Sequence, residues 1–231
     1  MNTTHDFDES LFRNADVLMA ILDGLQVKRY MENRPWPGFQ DDLGTLLALL
    51  SNHQKAVNLI LTKWDILEDD YTFRQVVTRL FQISQFANFV KAQQIVGVCR
   101  LIPVSSVGPG FVHEVGDSMQ KVPGKVINPV RVEVPIASSF PGALIAAQQT
   151  PRLPRPNKLL AFASVMKLNF GMVQIDLGAL GQRTVPAAVT TAMNTPAAIA
   201  QLIRYCDSKL NRLDAEFPES DLVRFMYQQG I

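Results

Sequence analysis

The sequence predicts an α/β fold, with a parallel sheet flanked by helices and a C-terminal α+β extension behind it. Three observations carry this. Short apolar runs bounded by turn signals recur at 15–23, 56–61 and 98–104, the form taken by strands buried on both faces. Helical periodicity fills the intervals between them. Strand, helix, strand, helix, strand is the order of a parallel sheet covered by helices.

The first run, Ala15–Asp23, ends at the turn signal Asp23-Gly24. Asp41 and Asp42 open a helix over Leu43, Leu46, Leu47 and Leu50, and residues 56–61 form the second strand. A long helix is expected from Thr72 to Ala92, with Phe73, Val76, Val77, Leu80, Phe81 and Val90 at helix-face spacings. Residues 98–104 supply the third strand.

After Gly110 prolines recur and divide the chain into short pieces, so residues 121–157 read as a proline-rich strand and linker region. Within it, residues 130–134 alternate Val-Arg-Val-Glu-Val as a half-buried strand should. Residues 158–231 form the C-terminal extension, with strands at Leu159–Val165 and Met172–Ile175. Thr195-Pro196 is a helix start, a capping hydroxyl followed by proline in the first turn, and a last helix runs from Ser220 towards Gln229 with Gly230 as its stop.

Composition excludes several function classes. Hydrophobic residues make up 47% and charged residues 19%, with a formal net charge of +1, so neither a basic nucleic-acid surface nor an acidic tail is indicated. Polar residues interrupt the apolar stretch Leu159–Leu180, so no membrane span is expected, and the acidic, polar N-terminus lacks the form of a signal peptide. A cytoplasmic protein is expected. Cys99 and Cys206 have neither metal-ligand nor disulfide-framework spacing and read as small buried hydrophobes. His5, His53 and His113 suggest no metal triad, and Ser138, Ser139 and Ser164 sit in no nucleophile-elbow context. Trp36, between Pro35 and Pro37, reads as a loop anchor.

The chemistry lies just beyond two of the strands, where open parallel sheets bind ligands. Thr62-Lys63-Trp64-Asp65 follows the second strand. A carboxylate there can accept both donors on the edge of guanine, N1–H and the exocyclic amine, in a bidentate pair. The aliphatic stem of Lys63 can lie over the flat base while its ammonium stays wet. Thr62 can bridge neighbouring loops, and Trp64 can either wall the base or pack on the next helix. Pro103-Val104-Ser105-Ser106-Val107-Gly108 follows the third strand, and a tight loop there can point a backbone N–H at guanine O6. Asp65 and Ser106 are therefore expected at adjacent strand ends, close enough to share one ligand.

Together these motifs resemble the specificity loops of the TRAFAC-class GTPases, where Asn/Thr-Lys-x-Asp follows one strand and a Ser-Ala-Lys-like loop follows the next. Ala15–Asp23 looks like the strand just before them, and the resemblance covers roughly residues 10–120. The wider texture resembles the bacterial double-GTPase branch. The resemblance implies that residues 1–120 are the rear half of a partial P-loop-NTPase-like G domain, with Thr62, Lys63, Asp65, Ser105 and Ser106 as guanine-binding residues and GTP or GDP as ligand.

The chain departs from the family in two places. Ser106-Val107 stands where the family has Ala-Lys. No G-x-x-x-x-G-K-[ST] phosphate loop occurs anywhere, and only fourteen residues precede the Ala15 strand. Lys121–Lys125 has the wrong spacing, and Pro123 within it lacks a donor. Asp41-Asp-Leu-Gly44 has the letters of the family's magnesium-side motif but follows the Ala15 strand instead of preceding it. The implied protein binds guanine nucleotides, does not hydrolyse GTP alone, and engages Mg²⁺ only if a missing front half is supplied. The partner is then that front half or another protein. The alternatives are a non-catalytic interaction module on a degenerate G-domain scaffold and an unrelated α/β enzyme.

Overall fold

The computed structural model describes residues 15, 17–34, 37–52, 56–96, 98–115, 118–139, 167–170, 173–176 and 196–231. Strands β1 (Val17–Leu22), β2 (Ala56–Leu61) and β3 (Cys99–Pro103) form a parallel sheet in the order β1-β2-β3. The register pairs Leu22 with Leu61 and Leu61 with Pro103, so the three strands end level. One face carries Leu18, Ala20, Leu22, Val57, Leu59, Leu61, Cys99 and Leu101, all buried. Strand alternation puts them on that face, where helices cover them.

Helices α1 (Gly24–Met31) and α2 (Phe39–Ser51) connect β1 to β2, and α3 (Phe73–Phe81) and α4 (Ser84–Ala92) connect β2 to β3. Val27 and Tyr30 of α1, Leu43, Leu47 and Leu50 of α2, and Phe73, Val76, Val77 and Leu80 of α3 join the strand residues in one core. Their spacings are those of a single helix face. Asp41 and Asp42 lie in the first turn of α2, where carboxylates suit the helix dipole, but the helix begins earlier, at Phe39 behind Gly38.

Three expectations need correction. The single helix 72–92 is two. Thr72 and Gln75 cap α3 reciprocally, and Ile83 then turns extended (φ −82°, ψ 115°) before α4. Beyond the break the buried residues are Phe86, Phe89 and Val90. Residues 130–134 are not a strand. Val130 makes an isolated bridge to Ser105, Arg131 is left-handed (φ 59°), and 134–139 are helical. Val134 and Ala137 bury as a helical i, i+3 pair while Val132 stays exposed, and Pro135 suits a first turn. Asp23-Gly24 is a helix start as well as a strand end, since Asp23 accepts from Leu25 N–H at 3.0 Å and caps α1.

Residues 140–207 form a compact unit separate from 1–139 with 208–231. In that second unit β6 (Lys167–Phe170) and β7 (Val173–Asp176) pair antiparallel; strands β4 (Val112–Val115) and β5 (Ser118–Lys121) make a similar hairpin in the first. The expected strand Leu159–Val165 lies outside the described residues, as do Trp36, His5, His53 and Ser164. Helix α5 covers Pro196–Glu216, and α6 (Leu222–Gln229) is capped by Asp221 and stopped by left-handed Gly230. Leu222, Phe225 and Met226 of α6 belong to the main core. On the opposite face of the sheet, Ile102 packs with Val104, Val134 and Leu213. Arg100 there pairs with Asp214 and donates to Ser220 Oγ at 3.3 Å.

Candidate functional site

The strand ends are tied together by the residues that follow them. Leu22 C=O accepts from both Thr62 N–H (3.0 Å) and Thr62 Oγ1 (3.1 Å). On the other side, Trp64 N–H donates to Val104 C=O (3.0 Å) and Val104 N–H to Leu61 C=O (2.9 Å). The loop after β2 therefore lies between the ends of β1 and β3. Gly24 seats α1 against this loop, for a Cβ there would stand 2.1 Å from Thr62 O.

Lys63 is in the left-handed region (φ 53°, ψ 37°), which turns the chain into a 3-10 segment, Trp64–Ile66. Its ammonium meets the Asp23 carboxylate, with Nζ 2.9 Å from Oδ1 and 3.0 Å from Oδ2. Trp64 packs edge-to-face on Phe73 (5.4 Å) and Phe217 (5.9 Å) and is buried, so of its two expected roles it takes the packing one. Asp65 is only 3% exposed, and its Oδ1 has no hydrogen-bond partner among the described residues. Three residues on, Glu68 is exposed as a residue, but partial desolvation of its carboxyl holds it above its ordinary value, against the pull of the Arg131 guanidinium and a hydrogen bond with the Trp64 side chain.

The loop after β3 is built on Ser105, which is 2% exposed. Its Oγ accepts from Val107 N–H (3.3 Å) and Gly108 N–H (2.7 Å), a serine turn. Its backbone exchanges hydrogen bonds with Val130 at 3.0 and 2.8 Å. Gly108 is left-handed (φ 86°) and so close to the next segment that a Cβ would lie 2.2 Å from Asn128 O. Ser106 is exposed, and its N–H has no acceptor among the described residues. Arg131 braces the loop from behind: Nε donates to Pro103 C=O (3.1 Å), Nη1 pairs with Glu216 (2.8 Å), and the guanidinium lies over the Phe217 ring at 4.6 Å.

The structure thus brings Thr62, Lys63, Asp65, Ser105 and Ser106 to the ends of two hydrogen-bonded neighbouring strands. Sequence reasoning missed Asp23 and Arg131. Asp23 was findable, since it directly follows a strand at the ligand-binding end of a parallel sheet. Arg131 was not, because its partners lie far along the chain. No cluster of three metal-ligating side chains occurs among the described residues, nor any helix there long and apolar enough to cross a membrane. Cys99 and Cys206 are buried and free. The chain matches no family model, no curated protein and no solved structure.

Proposed function

We propose that the loops 62–66 and 105–108 recognise the base of a guanine nucleotide, on a scaffold resembling the rear half of a GTPase G domain that does not hydrolyse GTP by itself. The observation that carries this is the Asp65 carboxylate, enclosed at the end of β2 with Oδ1 meeting no donor among the described residues. A buried polar atom without a partner is unfavourable by roughly 1–3 kcal/mol, more for a charged group. A ligand offering two donors on one edge relieves that deficit. Guanine does so through N1–H and its amine, and the Ser106 N–H supplies the donor that its O6 needs.

Oδ1 is sealed from solvent, so the base reaches it only when the Asp65 side chain turns outward, and apparent affinity falls by the outward fraction. With no phosphate cradle to add contacts, affinity is expected no better than roughly millimolar, about −4 kcal/mol. NMR titrations with GMP, GDP and GTP against AMP test this. Preference for guanine with near-indifference to phosphate number is expected. Micromolar GTP binding with strong selectivity over GDP would point to a phosphate site elsewhere in the chain. GTP turnover by the purified protein should not exceed that of Lys63→Ala.

A second reading, a non-catalytic interaction module, draws on a different feature. Among the described residues β1 pairs only with β2, and its outer face shows Met19 (40% exposed) and Ile21 (67% exposed). Such an edge suits a polypeptide that adds a strand. A partner whose binding is lost on Ile21→Lys, in a protein that ignores guanine, would favour it.

A further inference from the structure

We propose that Asp23 is a positioning residue for Lys63, fixing the lysine side chain in advance for the base; this rests on the base-recognition role proposed above. Asp23 follows β1 directly, and two constraints converge on its carboxylate. Oδ1 accepts from Leu25 N–H at 3.0 Å and so is held by the first turn of α1. The same group grips Lys63 Nζ with both oxygens, at 2.9 and 3.0 Å. The segments carrying the two charges are themselves locked together, because Gly24 lies against the Thr62 and Lys63 carbonyls without room for a side chain. The ion pair therefore joins two fixed points.

The consequence concerns the lysine stem. A free lysine has many rotamers, and ordering them on binding weakens a complex. Anchoring the ammonium at the far end removes most of that freedom before the ligand arrives, while the stem remains available as an apolar shelf. The pair is accessible, with Lys63 44% and Asp23 38% exposed. Pairing also neutralises the Lys63 charge where it stands, so the lysine lends no free cation to a phosphate. Asp23 thereby supports base binding and the indifference to phosphate number, while the choice of guanine stays with Asp65.

Asp23→Asn separates this role from helix capping, since asparagine caps as well as aspartate but carries no charge. GMP and AMP titrations followed by NMR should be run on the wild-type chain, Asp23→Asn, Lys63→Ala and the double variant, with melting curves to show that all are folded. Asp23→Asn should weaken GMP binding about threefold to tenfold and keep the preference for GMP over AMP. The double variant should bind no more weakly than Lys63→Ala, and relaxation of the Lys63 ε-methylene carbon should report greater mobility in Asp23→Asn. Unchanged GMP affinity in Asp23→Asn, or additive losses in the double variant, would overturn the positioning role alone. A wild-type chain that does not distinguish GMP from AMP would overturn the base-recognition role and this one with it.

Discussion

Beyond β2, Asp65 is 3% exposed with a carboxylate oxygen that meets no described donor, whereas beyond β3, Ser105 is 2% exposed with a hydroxyl oxygen that accepts two backbone N–H groups. Both loops leave neighbouring strands of one parallel sheet, and both bury one polar side chain. The second uses that side chain to organise itself and leaves a backbone donor, the N–H of exposed Ser106, without an acceptor among the described residues. The first leaves Asp65 Oδ1 without a partner among the described residues. A buried polar atom without a partner calls for an explanation, and a ligand that supplies donors is one. The contrast teaches where to look in this molecule: side-chain recognition after β2, backbone recognition after β3.

Substitutions that force the loops apart should have the largest effects. Gly108→Ala meets Asn128 O and a left-handed backbone together and should destabilise by about 2–4 kcal/mol, combining overpacking with left-handed strain. Gly24→Ala meets Thr62 O without the backbone penalty and should fall near 1–3 kcal/mol. Urea denaturation measures both, and equal or negligible effects would mean that the loops have slack that these contacts deny.

The buried polar groups sharpen the comparison directly. Ser105→Ala leaves two N–H groups without their acceptor, one of them buried, and should destabilise by about 1–3 kcal/mol. Asp65→Asn removes a buried charge that has an unpartnered oxygen, so it should destabilise less than Ser105→Ala. If Asp65→Asn proves the more damaging of the two in thermal melts, Asp65 is structural and the asymmetry between the loops disappears.

The smallest effects concern pH, and their signs are opposite. Glu68, near the first loop, has its carboxyl raised by partial desolvation. The fold then holds this proton more tightly than the unfolded chain does, so its contribution to stability falls as pH rises from 4.5 through the folded value. Glu68→Gln should therefore stabilise at neutral pH and lose that advantage in acid. Glu133, just after the segment that braces the second loop, is also pushed up by burial, but its hydrogen bond to Lys209 and the nearby Lys209 and Arg212 charges outweigh this and lower it. Its contribution is present above 4.5 and is lost as pH falls through the folded value. Glu133→Gln should destabilise at neutral pH and converge with wild type in acid. Melting temperatures recorded across that range separate the two.

Local pattern made the sheet legible. Three short apolar runs with turn signals after them became three strands, and the motif residues fell at their ends because strand ends are where such runs stop. Features that depend on distant parts of the chain were not legible. Val130, Val132 and Val134 alternate like a strand, yet Val134 packs against Ile102 and Leu213 as the start of a helix. The break at Ile83 was hidden, because Leu80, Ile83, Ala87 and Val90 keep the spacing of one continuous helix. Asp23-Gly24 reads as a turn until the Thr62 carbonyl is known to lie against Gly24. Within the site, residue types pointed to Asp65 and Ser105 alike; only tertiary hydrogen bonding shows that Ser105 Oγ has partners and that Asp65 Oδ1 has none among the described residues.

On the proposed reading, the Asp65 carboxylate receives a guanine base. The most direct measurement is the ¹³Cγ carboxylate resonance of Asp65, assigned through its loss in Asp65→Asn and followed during titration with GMP and, separately, AMP. A progressive shift with GMP and none with AMP is the expected result. A resonance that stays fixed through millimolar GMP, or that responds equally to AMP, would contradict it.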